Sequence, residues 1–161
     1  MPLTTARHDL RLIADLLTTA EREARALGDP EPGAEHLLLA ALLLDDDSAR
    51  RAVPTDAETV RAGIAAVHAA ALAAVGVEAP PNAAALPAAS GAYRADVSAQ
   101  QVFQRARELA RRSPTGLRAA HVLIAVAERE HGTVARVLQQ LGHDRAAVIA
   151  AAERALGVSA S

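Results

Sequence analysis

The order of apolar and polar positions predicts helix almost throughout the chain. Leu10, Ile13, Leu17, Ala20, Ala24 and Leu27 recur at spacings of three and four, which places an amphipathic helix over about residues 7–27. Gly28 follows as a left-handed stop, and Pro30 and Pro32 punctuate the turn, with Pro32 suited to opening the next helix. Residues 33–44 are apolar on nearly every side after His36, the pattern of a helix buried all round. Asp45, Asp46 and Asp47 form its exit as a solvated turn, and one of them or Ser48 caps a short third helix ending near Val53. Thr55 and Glu58 have the spacing of a capping box, opening a fourth helix with the stripe Val60, Ile64, Val67, Ala71 and Val75.

The pattern then breaks. From Gly76 to about residue 96, prolines, alanines, Ser90 and Gly91 show no sustained period, which reads as a linker. A second helical block follows, over about 97–112, 118–130, 133–141 and 144–156. The two blocks align at an offset of 85 positions. Glu35-His36-Leu37-Leu38-Leu39-Ala40 falls on Ala120-His121-Val122-Leu123-Ile124-Ala125, Glu23 on Glu108, Ser48 on Thr133 and Arg51 on Arg136, and a small gap then brings Asp56 onto Asp144. A duplicated four-helix unit (repeat one about 7–75, repeat two about 97–157) predicts one all-α domain of eight helices with pseudo-twofold symmetry, its two apolar helices meeting near the centre.

Composition supports this and removes several functions. Tyr93 and Phe103 are the only aromatics and cysteine is absent, so the core is built from Leu, Val, Ile and Ala, and disulfides and thiolate metal sites are excluded. The net charge of −2 makes no strong offer to nucleic acid or to an acidic membrane. No basic segment followed by an apolar run opens the chain, and no apolar run is long enough to cross a bilayer, so a cytoplasmic protein is expected. All basic residues are arginine, a bias that a GC-rich genome explains.

The stretch Glu23-Ala24-Arg25-Ala26-Leu27-Gly28, followed by Gly33-Ala34-Glu35-His36-Leu37-Leu38-Leu39-Ala40, resembles the repeat of the Clp N-terminal domain, and Ala119-Ala120-His121-Val122-Leu123 resembles it more weakly. The resemblance implies a domain that docks adaptors and delivers substrates, in some members arginine-phosphorylated proteins, to a Clp ATPase, and that in actinobacterial members is a target of cyclic peptide antibiotics. The phosphate-binding lysine motif of the ATPase modules has no counterpart, because the chain has no lysine. A stand-alone, non-catalytic protein-binding module is therefore expected, one that modulates or decoys delivery. The alternative is a small-molecule binder that sequesters such cyclic peptides.

The resemblance also assigns site residues. In phosphoarginine-binding members, a glutamate in each repeat faces the guanidinium. Glu35 matches in the first repeat, whereas Ala120 stands at the second. Thr4 lies in a stretch similar to the start of the first repeat, and Tyr93 and Arg94 lie where the second repeat should start. Arg118, with Arg105, Arg107, Arg111 and Arg112, gives a locally basic stretch that would suit an acidic partner or a phosphate. His36 and His121 recur at matching positions and are expected to be structural.

No metal site is expected. Glu128-x-x-His131 matches half of a di-iron motif whose second copy is missing, and the other histidines share no spacing. DNA reading would need a basic recognition helix, and the helices after the turns are apolar. No nucleophile motif of an acyl-transfer enzyme occurs.

Overall fold

A computed structural model describes residues 3–78 and 94–157, all of them helix, turn or loop. The order is α1 (Leu3–Ala26), α2 (Ala34–Leu43), α3 (Ser48–Ala52), α4 (Ala57–Ala74), α5 (Val97–Arg111), α6 (Ala119–Ala127), α7 (Thr133–Gln140) and α8 (Arg145–Ala155).

α2 and α6 are the two apolar helices, and they pack against each other at the centre. Residues 37–42 and 122–127 are all buried, Leu37, Leu39, Val122 and Leu123 completely. Around this pair the repeats interlock rather than sit side by side. α1 covers α2 and α5 covers α6, but α4 packs on α7 and α8 on α3, so each repeat's fourth helix closes over the third helix of the other. Neither repeat can bury its apolar faces without its partner, which makes the eight helices one cooperative core.

The pseudo-twofold relation reaches the caps. Asp56 accepts the backbone N–H of Thr59 at 2.7 Å at the start of α4, and Asp144 accepts that of Ala147 at 2.9 Å at the start of α8. Thr55 is therefore not the cap of α4: a carboxylate one residue later reaches the free amide first. Ala49, Ala52 and Val53 pair in burial with Val134, Val137 and Leu138 at the offset of the two histidines. The first helices run one residue out of step with it. Leu16, Ala20 and Ala24 are buried where Val102, Ala106 and Ala110 are, so Glu23, buried and bonded to Arg61 at 2.9 Å, has no equivalent in the exposed Glu108.

Three edges of the pattern differ from the periodicity. α1 begins at Leu3, a turn earlier than the stripe suggested, and its buried stripe runs through Leu12 and Leu16, leaving Leu10 68% exposed. The α4 stripe stops at Val67, and among the described residues Ala71 and Val75 lie exposed. Gly28 ends α1 with φ 84°, a left-handed conformation that a side chain would strain. Among the described residues, no helix is long and apolar enough to cross a membrane.

Candidate functional site

The residues singled out in the sequence gather mostly at the starts of α2 and α6. Both starts use one device. The His36 Nδ1 accepts the backbone N–H of Gly33 at 2.9 Å, and the His121 Nδ1 accepts that of Arg118 at 3.0 Å. Each histidine thus stands at the third helical position and reaches back to the cap residue, the place a glutamate or glutamine takes in a capping box. Both side chains are almost wholly buried. Burial pushes the His121 pKa down, which keeps its ring neutral and its Nδ1 able to accept.

The remaining amides at the start of α6 are satisfied from the other repeat. Asp46 reaches across from the α2–α3 turn, accepting the Ala119 N–H at 2.7 Å and, in a two-pronged contact, Arg118 Nε and Nη2 at 2.9 Å each. It also accepts the Ser48 N–H at 3.0 Å, while the Ser48 Oγ accepts the N–H of Ala120 at 2.9 Å. The expected solvated run of three aspartates is therefore broken at its middle member, whose side chain is 7% exposed. Burial alone would raise the Asp46 pKa, but Arg118 and the backbone amides overcome that and hold it far below the carboxylate range. Arg118 is thus a structural clamp and not a free docking cation.

The start of α2 is finished differently. Ser98 Oγ accepts the N–H of Ala34 at 2.9 Å, and Asp96 N donates to the carbonyl of Pro32 at 3.0 Å, so the start of the second repeat caps the apolar helix of the first. Glu35 is buried and its carboxylate turns inward. Its Oε1 lies 3.8 Å from His68 Nε2 and 3.8 Å from His36 Nδ1, and His68 Nδ1 lies 3.7 Å from Asp29 Oδ2. Burial works to raise the Glu35 pKa, but His68, the backbone amide of Glu35 and the electrostatic influence of His36 together outweigh it and lower it; Glu35, followed by Asp29, raises that of His68 against desolvation. Asp29, Glu35 and His68 form a group whose ligating atoms all lie within 4.8 Å of one another. Linear spacing gave no signal for it, since the three come from a turn, a helix start and the middle of α4.

The other sequence candidates are separate from this group. Thr4 is exposed in the first turn of α1, which approaches the start of α6: Asp9 Oδ1 accepts the Leu117 N–H at 3.0 Å. Arg94 is exposed two residues before Asp96, and Tyr93 lies outside the described residues. The repeat starts therefore meet the apolar helices crosswise, with Thr4 on the Ala120 side and Arg94 on the Glu35 side. In the basic stretch, Arg105 is held by Glu128 at 2.7 and 3.0 Å and Arg107 stands 5.8 Å from the centre of the Phe103 ring, while Arg111 and Arg112 are exposed. Leu3 and Leu10 on α1 and Val97 on α5 are 81%, 68% and 67% exposed, so the first helix of each repeat presents apolar side chains to solvent.

This architecture has a counterpart among solved structures. The N-terminal domain of the caseinolytic protease-associated chaperone ClpD from Arabidopsis thaliana superposes with a TM-score of 0.68, over 91% of this chain and 92% of that one, at 18% identity. The chain has the fold of a Clp N-terminal domain. No family model matches the sequence, and no curated protein does. The Clp N-terminal fold is thus carried here at 18% sequence identity to that domain.

Proposed function

We propose that this chain is a non-catalytic protein-binding module of the Clp proteolysis system, acting in the cytoplasm by recognising substrates, adaptors or a Clp ATPase and so modulating delivery. The observation that carries the reading is the near-complete fold match to the ClpD N-terminal domain, over nine-tenths of both chains. The surface that supports it is the pair of repeat starts, where Leu3, Leu10 and Val97 stand exposed beside Thr4 and Arg94. Exposed apolar side chains bordered by polar ones suit a protein partner.

A phosphoarginine-receptor role is weaker. Glu35 is turned toward His68 and Asp29, and Ala120 offers no acceptor at the second start. The same exposed apolar residues favour a second reading, capture of an apolar cyclic peptide.

The test is direct binding of the purified chain to a purified Clp ATPase, to its adaptor, to an arginine-phosphorylated peptide and to a Clp-directed cyclic peptide. Saturable binding to the ATPase, the adaptor or the phosphorylated peptide supports the module. Binding to the cyclic peptide alone supports the second reading, and binding to none contradicts both.

A further inference from the structure

Four polar groups converge behind the start of α2, and no hydrogen bond forms among them. His36 is 1% exposed, and its Nδ1 is already used as the acceptor for Gly33 N–H. The proton of the neutral ring therefore sits on Nε2, which points at Asp29 Oδ2 from 3.1 Å but out of line, so that both buried atoms are left without a hydrogen bond. His68 stands 3.7 Å from Asp29 and 3.8 Å from Glu35, beyond hydrogen-bond reach of either. Two carboxylates, one half-buried imidazole and a buried N–H aimed at one of the carboxylates thus surround a common point. Leaving the buried Asp29 Oδ2 and His36 Nε2 without partners is unfavourable, and a small cation at that point would neutralise the two carboxylates and bind a His68 nitrogen, leaving the His36 N–H to serve Asp29.

We propose that Asp29, Glu35 and His68 form a binding site for a divalent transition-metal ion of the Zn2+ type. The donor set is one nitrogen and two carboxylate oxygens, which suits Zn2+ better than the all-oxygen shells of Mg2+ or Ca2+. Bonds of about 2.0–2.2 Å from one His68 nitrogen and one oxygen of each carboxylate would draw in ligand atoms that now stand within 4.8 Å of one another, by roughly 1 Å, and leave a fourth position open. His36 is not a ligand, because its Nδ1 bond to Gly33 fixes the proton on Nε2. Instead its Nε2, 3.1 Å from Asp29 Oδ2, is placed to support that carboxylate once it turns onto the ion, as hydrogen-bond donors behind metal ligands do.

Gly33 is part of the design. A Cβ there would lie 2.7 Å from Glu35 Oε2 and 2.9 Å from Asp96 Oδ2, so only glycine lets the Glu35 carboxylate fold back over the helix start. Its φ of −104° is open to any residue, which makes the requirement one of space alone. In the second repeat Ala120 stands in the place of Glu35, so the site belongs to repeat one only. The inference does not rest on the Clp reading, since metal binding and partner binding are measured separately.

The experiment is calorimetric titration of the full chain, without a histidine tag, with ZnCl2 and in parallel with MgCl2. One equivalent of Zn2+ is expected to bind and no Mg2+. His68→Ala and Asp29→Asn should each weaken it by more than the about 10–100-fold that loss of a supporting partner causes. Gly33→Ala, which leaves the backbone unstrained, should weaken it while thermal unfolding stays cooperative. His131→Ala and His143→Ala should bind as the parent does. Absence of one-equivalent binding, its persistence in His68→Ala or Asp29→Asn, or its loss in the His131 or His143 variant would overturn the site.

Discussion

The start of α2 and the start of α6 are closed by the same histidine, yet the carboxylates beside them come from opposite directions. At α6 the anion is Asp46, imported from the other repeat, and its two oxygens are saturated by Arg118 and by the amides of Ala119 and Ser48. At α2 the anions Asp29 and Glu35 are local, and they face His68 across gaps too wide for hydrogen bonds. One start has its carboxylate saturated by hydrogen bonds, and the other holds its carboxylates in looser ion pairs with His68. A duplicated unit can thus hold one copy of a site as structure and release the other for chemistry, because the interlocked core supplies the fold whichever copy changes.

The comparison is broken most strongly at Asp46. Asp46→Ala leaves the Arg118 guanidinium and the Ala119 amide without partners and should destabilise the domain by about 3 kcal/mol, the low end for a broken buried ion pair since Arg118 is 29% exposed. Urea unfolding measures it. The Asp46 pKa is lowered in the folded state, so its stabilisation is present above the unfolded value of about 3.9 and is lost as pH falls below it. The parent should therefore lose stability below about pH 4 more steeply than Asp46→Ala does, which urea midpoints across that range would show.

The histidines sharpen the comparison. His36→Ala and His121→Ala each strand a cap amide and leave a cavity, and both should cost about 2–3 kcal/mol by thermal unfolding. Similar losses confirm a shared structural role; a loss at one alone contradicts it. The smallest effect lies at the paired caps, where Asp56→Ala and Asp144→Ala should each lower the unfolding midpoint slightly and by similar amounts. Unequal values there would show that the fourth helices are not equivalent.

Much of the fold was legible in the sequence because burial has a period. α2 and α6 were recognisable from apolar residues on every side, and the four-helix unit from its recurrence. The edges were not legible, since a period marks a face but not where the neighbouring helix stops, as Leu10 and Val75 show. Thr55 and Asp56 both suit a cap, and only the reach of the carboxylate decides between them. The site was least visible. Asp46 meets a helix start 73 positions away, and Asp29, Glu35 and His68 share no spacing, because tertiary packing alone brings them together. The candidate binding residues divide accordingly: Thr4 and Arg94 lie exposed, while Glu35 and Arg118 are engaged within the protein.

The functional claim is tested most directly by titrating the 15N-labelled chain with a Clp adaptor or Clp ATPase and following its amide resonances. The account predicts shifts or broadening concentrated at Leu3, Thr4, Leu10, Arg94 and Val97, on the first helices of the two repeats. No change on saturation, or changes confined to α7 and α8, would contradict it.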